Sequence, residues 1–299
     1  MKSTRIDPMS FVQLYMRGLS AYKYAQKREL VGIDFAQFGR KIGRQLLKRG
    51  VLSGASYLLV PVSSVRYFEF SFAQSCLPSS FQEGLDISSP RLFSLYVAQM
   101  KTKTSISICN PDSADIALTG KIASKLKINN ISTHNWAVNS IANQGKSYDC
   151  IWSISVIEHI SGQYDDADAI KFMYDSLNES GRLILTIPVD RQFWEEYRDE
   201  NYYGMHSTQE SGKHFFQRFY DKDAIEQRLL SHIKKEPTVV RWFGETSPGK
   251  FMEYITRWMH QGFECTVEDP REIANHYQEF PSWETMPGVG VCGILIEKD

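Results

Sequence analysis

YDCIWSISVIEHI at 148–160 and SGRLILTIPVD at 180–190 decide the reading of this chain. Each contains an almost unbroken run of apolar residues, so neither can leave one face in water. Both read as short strands buried on two sides. The first run ends in the polar pair Glu158 and His159, and the second is opened by Gly181 and closed by Pro188. Between them, 168–177 places Ile170, Met173, Tyr174 and Leu177 on or near one helical face. A strand, a helix and another strand buried on both sides are the unit of a mostly parallel sheet with helices on both faces.

Working outward, SISIC at 105–109 is a further apolar strand, and 130–133 is a weaker one. The helical stretch between them offers Ile116, Ile122 and Leu126 to the core. Downstream, 221–230 reads as a helix behind an aspartate cap, and 238–243 and 290–297 as the last strands. Helices are expected at 249–260 and 269–280. The first hundred residues read as mainly helical, with short helices at 71–77 and at 91–100, the latter behind Ser88, Ser89 and Pro90. The expected architecture is therefore α/β. A helical N-terminal extension (1–100) precedes a mostly parallel, Rossmann-like domain (101–299). A lid or acceptor-side segment falls around 190–219 and an insertion around 245–289.

Composition excludes several function classes. Of 299 residues, 42% are hydrophobic and 23% charged, as in an ordinary globular protein. A formal net charge of -1 provides no global field for nucleic acid, and no nucleic-acid partner is expected. Cys76, Cys109, Cys150, Cys265 and Cys292 are widely spaced and form no metal or redox motif. They favour a reducing compartment. The N-terminus lacks the apolar core of a secretory leader, and the uncharged run 51–65 is too short to span a bilayer, so a cytoplasmic protein is expected. At 34–50, Phe35, Phe38, Ile42, Leu46 and Leu47 form a stripe, with Arg40, Lys41, Arg44, Lys48 and Arg49 mostly elsewhere. Packing on a neighbouring helix and weak peripheral contact with an anionic membrane are both open readings.

In an open parallel sheet, ligands collect beyond the carboxyl ends of the strands. That singles out 110–113, 134–136, 153–159 and 188–191. Here a resemblance enters. Asp149, Glu158 with His159, Gly181 and Pro188 lie where class I S-adenosylmethionine-dependent methyltransferases carry an aspartate opening strand four, a Glu-His pair after it, and a glycine-led strand five ending in proline. FFQRFYDKDAIEQRLL at 215–230 also resembles the family's arginine-aromatic stretch leading into a helix. The resemblance covers about 102–299.

The resemblance implies S-adenosylmethionine as cofactor. It also implies a glycine-rich loop after strand one and an acidic residue ending strand two, which accepts hydrogen bonds from the ribose. With 105–109 as strand one, the loop at 109–115 has no glycine. Asn110, Asp112 and Ser113 become its cofactor-side residues, with Asp112 or Asp115 set to meet the methionine ammonium, unless the loop is a purely structural turn. With 130–133 as strand two, no carboxylate follows. Asn135 would serve the ribose and Trp136 would cover the adenine, or else form a polar loop and a core indole. Only a dozen residues separate Trp136 from Asp149, so the third strand would be short or missing. Ser153 is a cofactor-side residue near the end of strand four. Glu158 and His159 line the methyl-transfer site, with His159 as general base or as a structural residue starting a helix.

Two further clusters stand out. His206 and His214 suit no metal motif; they read as surface histidines or, with Tyr202, Tyr203, Phe215 and Phe216, as a lid or acceptor pocket. Arg66, Tyr67, Glu69 and Arg91 can lock the extension onto the sheet or touch an acceptor. The function expected is methyl transfer to a small-molecule or glycan-type acceptor. The alternative is a binding or scaffold protein that keeps the fold without turnover. Nothing in the sequence sets the oligomeric state.

Overall fold

The computed structural model describes residues 8–202, 209–260 and 267–299. Tyr203, His206 and Cys265 lie outside them. The chain forms two compact units. The first comprises Met1–Ser71, Lys125–Lys127 and Trp242–Gly290, and the second Phe72–Ser124, Ile128–Arg241 and Val291–Asp299.

In the first unit, helices α1 (Pro8–Lys27), α2 (Ile33–Lys48), α3 (Gly54–Leu59) and the start of α4 (Arg66–Cys76) lead the chain. The predicted stripe of α2 is used here: Phe35, Phe38, Ile42 and Leu46 are buried. Phe35 meets Phe70 with ring centroids 5.2 Å apart. Gly43 lets α2 and α3 approach closely, because a Cβ there would lie 2.7 Å from the Gly54 carbonyl.

The second unit holds β1 (Glu83–Ile87), α5 (Arg91–Met100), β2 (Ser105–Cys109), most of α6 (Ser113–Leu126), β3 (Ile131–His134), β4 (Tyr148–Ile154), α7 (Asp166–Asp175) and β5 (Leu177–Val189). A small antiparallel sheet follows, made of β6 (Trp194–Arg198), β7 (Gln209–Glu210) and β8 (Lys213–Phe219) in the order β6-β8-β7. Helix α8 (Lys222–Ala224) continues through a π-helical turn (Ile225–Leu230) into α9 (Ser231–Ile233). Strand β9 (Val239–Glu245) carries the chain back into the first unit, to α10 (Lys250–His260), α11 (Pro270–His276) and β10 (Tyr277–Phe280). Strand β11 (Gly290–Glu297) ends it. Among the described residues no helix is long and apolar enough to cross a membrane.

The main sheet of the second unit runs β9-β11-β5-β4-β1-β2-β3, and β10 pairs antiparallel with β9 in the first. The pairs β1–β2, β1–β4, β2–β3 and β4–β5 are all parallel. The chain winds outward through β2 and β3, then returns to the far side of β1 for β4 and β5. The order 3-2-1-4-5 is that of a doubly wound sheet, and the reversal between β1 and β4 is its switch point.

This topology corrects the strand count read from the sequence. The first strand is EGLDI at Glu83–Ile87, inside the stretch expected to be helical. SISIC is therefore the second strand and ISTH the third, so no third strand is missing. The strand was illegible because only Leu85 and Ile87 are large apolar residues, while Asp86 is charged in isolation. Asp86 is nonetheless fully buried, because tertiary partners satisfy it.

Candidate active site

Asp86 lies in β1 opposite Trp152 of β4. One carboxylate oxygen accepts from the Ser89 N–H at 2.9 Å and the other from the Ser94 hydroxyl. That hydroxyl in turn accepts from the Trp152 indole N–H at 3.0 Å. Burial pushes the Asp86 carboxyl up to about 6, and the bonds from Ser94, Ser89 and Trp152 pull the other way. The loop that follows has no glycine. Ser88 instead takes the left-handed conformation, with φ 52°. Its N–H and its hydroxyl both donate to the Cys109 carbonyl, at 2.9 and 3.1 Å. The Ser89 hydroxyl accepts from the Ile154 N–H at 3.0 Å. The loop thus ties β1 to β2 and to β4 before α5 begins.

Arg91 opens α5 and reaches across to α6. Its Nε donates to the Thr119 hydroxyl at 3.0 Å and its guanidinium pairs with Asp115. Arg66, Tyr67 and Glu69 lie on α4 in the first unit, where Arg66 pairs with Glu69 at 3.5 Å.

After β2, the side chain of Asn110 accepts from the Asp112 N–H at 2.9 Å and donates to Asp115 at 3.2 Å. One oxygen of Asp112 caps α6, accepting from the N–H groups of Ala114 and Asp115 at 2.8 and 3.2 Å. Ser113 is the exposed first residue of that helix. Because SISIC is the second strand, Asp112 is the carboxylate that follows strand two, and strand two does not lack one. Asp115 is held by Arg91 and Asn110. Asn135, after β3, donates to the carbonyls of Asn110 and Pro111, both at 2.9 Å. Trp136 is half-buried and stacks on His134, with centroids 3.9 Å apart and planes 19° apart. Burial, then the charge of Lys146, lowers the His134 pKa.

Ser153, the last residue but one of β4, is buried and pairs with Leu185 of β5. Beyond it, Ser155 is left-handed (φ 49°) and a 3₁₀ turn, Ile157–His159, follows. Glu158 is buried and His159 is largely covered. The His159 Nδ1 lies 2.6 Å from the Phe216 carbonyl, which can only accept, so Nδ1 carries the hydrogen. Its Nε2 lies 3.8 Å from the Glu158 carboxylate. Phe216 meets the imidazole edge-on at 5.2 Å and Tyr202 at 5.7 Å, and Arg198 stacks on its ring.

This small sheet is anchored by charges. Asp166, fully buried at the start of α7, accepts from Arg228 at 2.6 and 3.0 Å and from the Tyr220 hydroxyl at 2.8 Å, with Arg218 at 3.3 Å. Arg218 also donates to the Ile160 carbonyl at 2.7 Å and to Glu195 at 3.0 Å. The bonds to Asp166 raise the Arg228 pKa.

The structure thus gathers Asn110, Asp112, Ser113, Asn135 and Trp136 at the ends of β2 and β3, and Glu158 with His159 beyond β4. It leaves Ser153 inside a strand. Sequence reading missed Asp86, Ser94 and the Asp166–Arg218–Arg228 set. For Asp86 the one available cue was an aspartate between leucine and isoleucine just before Ser-Ser-Pro; for Arg218 and Arg228 it was the arginine-aromatic stretch at 215–230, which did not reveal their buried partner.

No protein-family model matches the chain, and no curated protein matches it by sequence. Solved structures do. The N-terminal domain of EvdMO1 with SAH bound matches at a TM-score of 0.50 and 11% identity, over 83% of this chain and 85% of that one. An O-methyltransferase from a trans-AT PKS multienzyme of Brevibacillus brevis, in complex with S-adenosyl-L-homocysteine, matches at 0.49 and 15%, over 77% and 71%. Geranyl diphosphate C-methyltransferase of Streptomyces coelicolor A3(2) matches at 0.49 and 10%, over 78% and 79%. The chain has the class I S-adenosylmethionine-dependent methyltransferase fold.

Proposed function

We propose that this protein binds S-adenosylmethionine at the ends of β1 and β2 and methylates a small-molecule acceptor beside the 3₁₀ turn that follows β4. The observation that carries the proposal is the pairing of two differently equipped strand ends around one switch point. One end offers a carboxylate after strand two, and the other a fixed histidine backed by a buried glutamate.

The residues present fit the cofactor. Only one oxygen of Asp112 is used as a cap, which leaves the other to accept from ribose hydroxyls. Trp136 keeps one ring face outside its stack on His134, suited to an adenine. Asn110, Ser113 and Asn135 shape this rim, and α5 begins directly behind the β1 loop, so its positive end favours a carboxylate there. The left-handed turn that a glycine would make is kept by Ser88.

When bound, S-adenosylmethionine supplies an activated methyl group, and the protein's task is chiefly orientation. On the acceptor side, the Phe216 carbonyl holds His159 in the tautomer whose Nε2 accepts a proton. Glu158 at 3.8 Å offsets the positive charge that results. The half-buried Tyr202 at the edge of this cluster offers a flat surface on which a sugar ring can stack, which favours a glycan-type acceptor. A second reading, a binding protein of this fold without turnover, is favoured by the β1 loop, whose two serine hydroxyls are spent on β2 and β4.

Calorimetric titration with S-adenosylmethionine and S-adenosylhomocysteine tests the proposal. Saturable binding is expected, and no heat from either at millimolar concentration overturns it. With an acceptor in hand, His159→Ala should lower turnover about 100-fold at unchanged cofactor affinity. Unchanged turnover removes His159 from the base role.

A further inference from the structure

Helix α1 buries Ala21, Tyr22 and Ala25 on one side. Its other side carries Met9, Val12, Met16 and Leu19, which are 68%, 54%, 58% and 39% exposed. Steps of three, four and three residues put these four side chains on one helical face. Continued by four-residue steps, the same face reaches Lys23 and Lys27, both exposed. The helix contains no acidic residue. In a chain of net charge -1, the stretch 8–52 sets nine basic residues against only Glu29 and Asp34. Of these, Lys41, Arg44 and Lys48 occupy the exposed side of α2, whose apolar stripe is already consumed inside the unit.

We propose that α1 rests on an anionic membrane surface. Met9, Val12, Met16 and Leu19 enter the boundary between headgroups and acyl chains, and Lys23 and Lys27 reach the phosphates. An apolar line that runs into lysines matches the layered chemistry of a lipid surface, apolar below and negative above. A protein groove would have to supply both an apolar floor and an acidic rim along the same line. The basic excess of 8–52 then adds attraction to anionic lipid that falls with ionic strength. Four inserted side chains give reversible contact rather than stable insertion. The membrane-facing element is thus α1 and not the apolar stripe of 34–50.

Co-sedimentation of the full chain with phosphatidylcholine vesicles, with and without phosphatidylglycerol, tests this. Binding is expected only to the anionic vesicles, weakening as salt rises. Val12→Ser with Met16→Ser, and separately Lys23→Glu with Lys27→Glu, should each reduce it at least about tenfold. All four positions are exposed, and circular dichroism checks that each double variant keeps its helix content. The proposal is overturned if anionic vesicles bring down no protein, or if both double variants bind like the parent. It is equally overturned if the apolar variant abolishes a concentration-dependent self-association, since a second copy would then occupy the stripe.

Discussion

Strands β1 and β4 lie side by side and end alike. Each is followed by a serine in the left-handed conformation, Ser88 at φ 52° and Ser155 at 49°. Each serine N–H is bonded to the next strand, to the Cys109 and Thr186 carbonyls respectively, both at 2.9 Å. Past the serines the two ends diverge. After β1 the chain enters α5 at once, and Ser88, Ser89 and Asp86 are spent on neighbouring strands and on the helix. After β4 it turns through Ile157–His159 and presents Glu158 and His159 to a second sheet. A left-handed residue costs on the order of 1 kcal/mol or more in both places. At β1 that cost secures a rigid floor, and at β4 it aims side chains that can do chemistry.

The largest expected effect lies on the β4 side. Asp166→Ala leaves Arg228 and Arg218 without their buried carboxylate. Urea denaturation should show a loss of about 3–5 kcal/mol, with the small sheet loosened and His159 released from Phe216. A loss below about 1 kcal/mol would mean that the sheet is held by its aromatics alone.

Asp86 is the counterpart on the β1 side. Its folded pKa of about 6 lies above the ordinary carboxylate value, so between about pH 4 and 6 the folded state binds more protons than the unfolded state. This contribution to stability is full below that window and declines as pH rises through it, by about 3 kcal/mol in total. Asp86→Asn should flatten the decline, so the variant gains on the parent from pH 4 to pH 6. Denaturation midpoints measured across that range check it, and parallel curves would refute the assignment.

A smaller test separates capping from ligand contact. Asp112→Ala should cost about 1 kcal/mol by uncapping α6, while Asp112→Asn keeps the cap. Both should weaken S-adenosylhomocysteine binding in calorimetry. If the asparagine variant binds as tightly as the parent, the carboxylate charge is not used.

The smallest effect is expected at Ser88→Gly. Relief of the left-handed strain offsets the lost bond to Cys109, so stability should stay within about 1 kcal/mol of the parent. Cofactor affinity should rise severalfold as the backbone becomes more approachable. Unchanged affinity would show that the β1 loop is not the limiting part of the site.

Much of the β4 side was legible in the sequence. YDCIWSI and GRLILTIPV are long apolar runs whose burial follows from their composition, and the polar residues after the first mark its end. The small sheet after β5 was legible only as a polar, aromatic segment. Its strands β6 and β8 alternate bulky and charged residues, and Arg218 of β8 finds its partners Glu195 and Asp166 only 23 and 52 residues away along the chain. The β1 side was misread by one strand. EGLDI reads as polar until Ser89, Ser94 and Trp152 are seen around Asp86. The same miscount made strand two look bare of a carboxylate, although Asp112 follows it.

By itself, then, the sequence determined the class of architecture, the two central strands and the polar pair beyond β4, because those depend on hydrophobic runs and local turns. Only the tertiary structure decided which strand is first, which carboxylate follows the second, and which face of the N-terminal helices is left open. Those depend on a buried aspartate finding partners from α5 and β4, and on which apolar stripe, that of α2 or that of α1, the unit consumes in its own core.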